Sequence, residues 1–158
     1  MSRIKAAALL GAAGFLFAVA APRAAAAKDE ACTLLTPAQV GHAFGAPMQP
    51  GAYVTPKFKE TCAWTASDAS KGYVTLNLQD AAGFQSGKQL SNMSTGAAIT
   101  PLRGVGNDAY YLTVGKNVGL VVRKGKASFR VAVYSDEFSM EKKKSIEKAL
   151  ARQVLIRL

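Results

Sequence analysis

The stretch "DAYYLTVGKNVGLVVRKGKASFRVAVYS", residues 108–135, decides the fold of this chain. It contains three strand-like apolar runs, joined only by the short glycine-containing links "GKN" and "KGK". Links of this length connect neighbouring antiparallel strands, so the stretch predicts a three-stranded meander. Five apolar residues of its second and third strands are expected to share the core face: Leu120, Val122, Phe129, Val131 and Val133.

Two further strand patterns precede this meander. They are "KETCAWTAS" (residues 59–67) and "GYVTLNLQD" (residues 72–80), and the second alternates apolar with polar residues. Such alternation indicates a strand with one buried face, and the turn sequence "SDASKG" between them predicts a hairpin. The segment "APMQPGAYVTPK" before them is interpreted as a loop because proline and glycine punctuate it.

Two helix signals are definite. Thr36, Pro37 and Gln39 predict the start of a short helix with a capping box, and Gly45 is suited to end it. Ser139 is expected to cap a long final helix. The predicted apolar stripe of that helix consists of Met140, Ile146, Ala149, Leu150, Gln153 and Val154.

A third segment, "AAGFQSGKQLSNM", is weakly helical at best because two glycines interrupt it. The order of these elements predicts an α+β fold. We expect a single antiparallel sheet of about five strands, with helices packed on one face and one disulfide.

Residues 1–27 are predicted to be a cleaved secretory signal peptide. Arg3 and Lys5 precede an uncharged run, and Ala25 and Ala27 occupy the −3 and −1 positions of a cleavage site. An uncleaved anchor is disfavoured because the run is shorter than the ~20 residues that a spanning helix needs. We therefore expect a periplasmic or secreted single domain of residues 28–158, with no transmembrane segment after cleavage. It retains 17 basic and 10 acidic residues, a formal charge of +7.

The two cysteines are predicted to form a disulfide, because two lone cysteines in an oxidising compartment usually pair. Cys32 lies just ahead of the first helix, and Cys62 lies in a strand. A lipid-anchored cysteine is disfavoured because "KDEA", not a small apolar lipobox, precedes Cys32. A metal site would need carboxylates to join the two cysteines and the one histidine.

No motif in the sequence points to catalysis, a cofactor or a metal. His42 is the only histidine, and a position on a short helix favours a surface residue over a catalytic base. "GVGNDA" matches Gly-x-Gly-x-x-Ala, but a strand pattern follows it where a nucleotide site needs a helix, so it is interpreted as a turn. Carboxylate chemistry is left open, with Asp68, Asp80 and Asp108 as the residues to test.

Two basic clusters are the candidate surface for an anionic partner. One comprises Arg123, Lys124 and Lys126, and the other comprises Lys142, Lys143 and Lys144. Both are also explained by solvation of a helix face and by lysines that discourage pairing of sheet edges. No nucleic-acid partner is expected, because no recognisable module accompanies the charge. Four aromatic residues could line a small pocket, although core packing explains them more simply: Trp64, Tyr73, Tyr110 and Tyr111.

The stretches "CTLLTPAQVGHAFG", "CAW", "GVGNDAYY" and "VVRKGKASFRVAV", with the C-terminal helix, resemble a group of small secreted or lipid-anchored bacterial domains of unknown function. The resemblance implies an α+β sheet with flanking helices and a disulfide between Cys32 and Cys62. It implies no catalytic residues. The chain departs from the lipid-anchored members in lacking a lipobox.

These observations predict a secreted, non-catalytic module that binds an envelope protein or an anionic component of the cell envelope. One alternative is an envelope-acting hydrolase that uses carboxylates. Another is a basic protein that associates with a membrane surface through its last helix.

Overall fold

A computed structural model describes residues 30–158; the predicted signal peptide and its cleavage site lie outside these residues. The described part forms one antiparallel sheet of seven strands with three α-helices. The strands are β1 (Ala52–Thr55), β2 (Phe58–Thr65), β3 (Tyr73–Asp80), β4 (Ala97–Leu102), β5 (Asp108–Val114), β6 (Asn117–Lys124) and β7 (Ala127–Tyr134). The helices are α1 (Pro37–Phe44), α2 (Ala81–Met93) and α3 (Met140–Arg157).

The strand order is β1-β2-β3-β7-β6-β5-β4. Two meanders, β1–β3 and β4–β7, are therefore joined side by side through the pairing of β3 with β7. The predicted hairpin and the predicted meander of β5, β6 and β7 are both present. The α+β class is right in outline.

The expected count of about five strands is wrong, because the sheet has seven. The two additional strands, β1 and β4, are its two edges. β1 is a short strand inside the segment interpreted as a loop, and three of its four residues are exposed. β4 contains Pro101, which an edge strand tolerates because a missing N–H on its outer side breaks no ladder bond. Edge strands carry a weak burial pattern, which explains why the sequence did not reveal them.

The expectation that the helices pack on one face of the sheet is also wrong. α1 and α3 cover the face that carries the main core, whereas α2 covers part of the opposite face. α2 is a full helix despite its glycines. Asp80 caps it by accepting a hydrogen bond from Gly83 N–H at 2.7 Å, and Phe84 packs on Tyr110 with ring centroids 5.2 Å apart.

The face under α1 and α3 holds most of the buried apolar residues. The five residues predicted to share it are all buried there. The capping box of α1 is confirmed: Gln39 N–H donates to Thr36 Oγ1 at 3.2 Å, and Thr36 N–H donates to Gln39 Oε1 at 2.9 Å. α3 turns a different stripe inward than predicted, since Ala149 and Gln153 are exposed. The described residues of that buried stripe are Lys143, Ile146, Glu147, Leu150, Ala151 and Val154.

The predicted disulfide is present. Cys32, in the 3₁₀ turn Ala31–Thr33, is bonded to Cys62 in the middle of β2, and their Cα atoms are 5.0 Å apart. Cys62 and Trp64 are fully buried. Gly51 runs so close to both that a Cβ there would lie 2.8 Å from the Cys62 sulfur and 2.6 Å from Trp64 Nε1. The bond therefore fastens the segment ahead of α1 to the core.

Replacement of both cysteines by alanine is expected to lower the free energy of unfolding by about 3–4 kcal/mol, because the bond closes a loop with a sequence separation of 30 residues. Chemical denaturation followed by tryptophan fluorescence measures this change. Wild-type protein in reductant is the control and should approach the stability of the double variant. Equal stability of the variant and the oxidised wild type would contradict the assignment.

Candidate functional site

The face of the sheet opposite the main core is only partly covered. α2 contacts β3, β4, β6 and β7, and its Phe84 packs on Tyr110 of β5; Phe84, Tyr110 and Val121 form a second small core there. The adjacent strands β1, β2, β3 and β7 expose their side chains on this face as a depression of about 370 Å³. We call this depression the trough. Its lining residues are Val54, Thr61, Ala63, Tyr73, Thr75, Asn77, Gln79, Arg130 and Tyr134.

One wall of the trough is a pair of tyrosines. Tyr73 on β3 is directly opposite Tyr134 on β7, and their rings stack with centroids 4.6 Å apart and an interplanar angle of 17°. Tyr73 is 41% exposed, although it is a large aromatic residue. Stacking hides one face of each ring, so the pair offers ring edges and an outer ring face to a ligand.

The floor of the trough is a row of small side chains. Ala63 and Thr75 line the trough, and the pairing register continues their row to Ala132 on β7, which is buried. Residues two apart on a strand are about 7 Å apart along it, so this row lies next to the tyrosine row. Its side chains are shorter than those of the rows on either side. A ligand can therefore come close to the backbone of the sheet here, between the longer side chains of the two walls.

The opposite wall is polar. Thr61, Asn77 and Arg130 form the next aligned row. Asn77 Nδ2 donates to Thr61 Oγ1 at 2.6 Å, and Gln79 Nε2 donates to Asn77 Oδ1 at 2.9 Å. These bonds orient neutral amide and hydroxyl groups along the wall, about 13 Å from the tyrosine row as measured along the strands.

Arg130 closes the end of the trough next to β6. Its side chain lies over Gly119, where a Cβ would be only 2.4 Å from Arg130 Nε. The Nε atom is buried and has no hydrogen-bond partner. Arg130 takes part in none of the ion pairs between described residues. It is also the one charged residue among those that line the trough, so the trough has a single positive end.

The predicted basic surface is divided between the two ends of α3. Lys124 donates through Nζ to the Leu155 carbonyl at 2.8 Å, near the helix C-terminus. Lys143, near the N-terminus, is buried and donates to the Lys116 carbonyl at 3.2 Å. Twelve residues of helix separate these anchors by about 18 Å, so the two clusters do not form one patch.

The other predicted basic residues differ in exposure. Lys126 and Lys142 are exposed. Lys144 pairs with Glu141 at 3.0 Å. Arg123 is half-buried on the face that α2 covers, with its guanidinium 5.9 Å from the centre of the Phe84 ring.

The carboxylates of the alternative hydrolase lie apart. Asp68 accepts hydrogen bonds from Ser70 N–H and Oγ, which lower its pKa, at the start of the turn before β3. Asp80 caps α2 at the other end of β3, about 25 Å away along the strand. Asp108 pairs with Lys88 at 3.6 Å. Glycosidase carboxylates lie about 5–10 Å apart, so Asp68 and Asp80 do not form such a pair.

His42 is exposed and lines a groove of about 440 Å³ between α1 and α3. The remaining lining residues of this groove are alanine, glutamine and leucine, which supply neither a nucleophile nor an acid. Among residues 30–158, no group of three or more histidine, cysteine, aspartate or glutamate side chains is arranged to hold a metal ion.

"GVGNDA" is a turn that leads into β5, as predicted. Gly104 and Gly106 adopt positive φ angles of 77° and 62°. Asn107 Oδ1 accepts a hydrogen bond from Gly125 N–H at 2.7 Å, which ties this turn to the β6–β7 link. The glycines therefore serve backbone geometry.

Sequence reasoning named only one trough residue, Tyr73, as a candidate pocket residue. The three aromatic residues grouped with it (Trp64, Tyr110 and Tyr111) are buried in the core. The alternation of polar and apolar residues in β3 was visible in the sequence. The residues of β2 and β7 that lie opposite them could not be identified from it.

Glu147 on α3 is a fully buried acid beneath β7. Its Oε1 accepts a hydrogen bond from Val133 N–H at 3.1 Å, and its Oε2 has no partner. Burial raises the pKa of Glu147 to about 8, against the lowering influence of that bond and of Arg130, Lys143 and Lys144. At neutral pH the group is therefore mainly protonated inside the fold.

Comparisons with profiles of known protein families, with curated proteins and with solved structures found no match to this chain. None of the helices between Glu30 and Leu158 has the length and apolar character needed to cross a membrane.

Glu147→Gln is expected to flatten the pH dependence of stability. Because the folded-state pKa of Glu147 is raised from 4.5 to about 8, the folded protein holds a proton that the unfolded chain releases across this window. Wild-type stability should therefore fall as pH rises from about 4.5 to 8, by up to about 1.4 kcal/mol per pH unit from this group. Denaturation at several pH values measures the slope.

The control for this experiment is Glu141→Gln, because the Glu141 side chain is 82% exposed. It should keep the wild-type slope. An unchanged slope in Glu147→Gln would show that the buried acid does not bind the proton.

Proposed function

We propose that this protein is an exported, non-catalytic binding module of the cell envelope, and that a saccharide chain binds in its trough. The observation that carries the proposal is the placement of the stacked tyrosines opposite a wall of oriented amide and hydroxyl groups, across a floor of small side chains. Each part matches one property of a sugar ring.

The tyrosine pair matches the C–H faces of pyranose rings. These faces are flat and weakly apolar, so they can pack on an exposed aromatic surface while the sugar hydroxyl groups stay hydrated. Tyr73 and Tyr134 already hold each other in place by stacking, which reduces the side-chain entropy that binding would otherwise cost.

The polar wall matches sugar hydroxyls. Thr61, Asn77 and Gln79 are neutral, and they combine donors and acceptors. Their mutual hydrogen bonds hold them in one orientation, which favours directional contacts with a ligand.

Two observations support a binding role without catalysis in an oxidising compartment. The acids proposed for hydrolysis serve as caps or in ion pairs, outside the trough. The Cys32–Cys62 disulfide and the N-terminal sequence of residues 1–27 are both typical of exported proteins.

Tyr73→Ala and Tyr134→Ala are each expected to weaken binding of a β-1,4-linked glucose hexamer about fivefold or more. Loss of one aromatic contact removes roughly 1 kcal/mol of interaction. Isothermal titration calorimetry on the full mature chain gives the dissociation constants, and thermal unfolding checks that the variants are folded.

Phe58→Ala is the matched control, because Phe58 is an aromatic residue, 65% exposed, that does not line the trough. It should bind the hexamer as the wild type does. Equal weakening in Phe58→Ala would overturn the proposal, and so would failure of the wild type to bind both this hexamer and a β-1,4-linked glucuronic acid hexamer.

A further inference from the structure

We propose that the trough selects acidic saccharides, with a sugar carboxylate bound by the guanidinium of Arg130. This inference rests on the proposed saccharide function and adds the charge of the ligand. It is carried by the position of Arg130 at the closed end of the trough, beside the small-residue floor.

Arg130 is not committed to any partner within the described chain. It takes part in none of the ion pairs among residues 30–158, and its buried Nε lacks a hydrogen-bond acceptor. Because Nε is buried, an acceptor that enters the trough meets the terminal nitrogens of the guanidinium. The arginine is therefore held ready for an external group.

A carboxylate is the acceptor that fits this end of the trough. Guanidinium groups are planar and form two parallel hydrogen bonds with a carboxylate. In a uronic acid the carboxylate projects from the edge of the ring. The ring can then lie on Thr75 while its carboxylate faces Arg130.

The remainder of the trough does not compete for the arginine. Its other lining residues are uncharged, so no acid among them repels an anionic ligand or neutralises Arg130. Glu147 also lies near Arg130, but it is buried under the opposite face of the sheet. A carboxylate ligand therefore meets one positive charge in an otherwise neutral site.

The test compares two hexamers that differ only at C6: β-1,4-linked glucose and β-1,4-linked glucuronic acid. Calorimetry at fixed ionic strength should show wild-type protein binding the glucuronic acid hexamer about tenfold more tightly. Arg130→Gln should abolish this preference, because the two hexamers then meet the same uncharged lining.

Gly119→Ala is a second variant that keeps the arginine but displaces it. The added Cβ would overlap Arg130 Nε, which belongs to a flexible side chain and can move aside. The preference for the acidic hexamer should fall in this variant as well. Lys126→Gln is the control for net charge, because it removes one exposed positive charge from the β6–β7 link and should keep the preference.

The outcomes separate the two proposals. Binding of neither hexamer would overturn the saccharide function itself. Equal binding of both hexamers by the wild type would overturn the acidic selectivity and leave the function standing. A preference that survives in Arg130→Gln but falls in Lys126→Gln would assign it to the general positive charge of the protein and overturn the role of Arg130.

Discussion

The pairing of β3 with β7 is the constraint on which the rest of the structure depends. Eight residue pairs, from Tyr73 opposite Tyr134 to Asp80 opposite Ala127, join the two meanders into one sheet. A shift of one residue would turn every side chain of β3 to the other face. Val74 and Leu76 would then leave the core. The same register that buries these residues also stacks the tyrosines and brings Asn77 beside Arg130.

The two faces of the sheet are covered unequally, and this inequality creates the trough. α3, helped by α1, covers the central strands on one face. α2 begins at the end of β3 and leads to β4 at the far edge, so it crosses the opposite face and contacts β3, β7, β6 and β4 on its way. Only the parts of β1, β2, β3 and β7 that line the trough remain open there. Polar and aromatic side chains on an open half of a sheet do not disturb the packing of the core on the other face.

The two basic clusters of this protein do not form one positive surface, although its composition is strongly basic. The formal charge of +10 comes from residues spread along the chain, and several of these bind internal groups. Lys124 and Lys143 donate to carbonyl groups near opposite ends of α3, and Lys116 pairs with Asp136 at 2.6 Å. Arg130 is different, because its guanidinium lies in the trough without an acidic partner. A cation in a recess with neutral neighbours is screened by salt less than a solvated lysine is.

The sequence by itself determined the elements whose signals are local: the capping box of α1, the turns, the central strands β2, β3 and β5–β7, and the presence of two cysteines suited to pair. It did not reveal the edge strands, whose residues are mostly exposed, or α2, whose glycines weaken the local helix signal and whose Phe84 packs on Tyr110 only in the folded protein. The trough was equally hidden. Its residues come from separate strands, and only strand order and register place them together. Local signals act over a few residues, whereas a binding surface on a sheet is defined by long-range pairing that no single segment encodes.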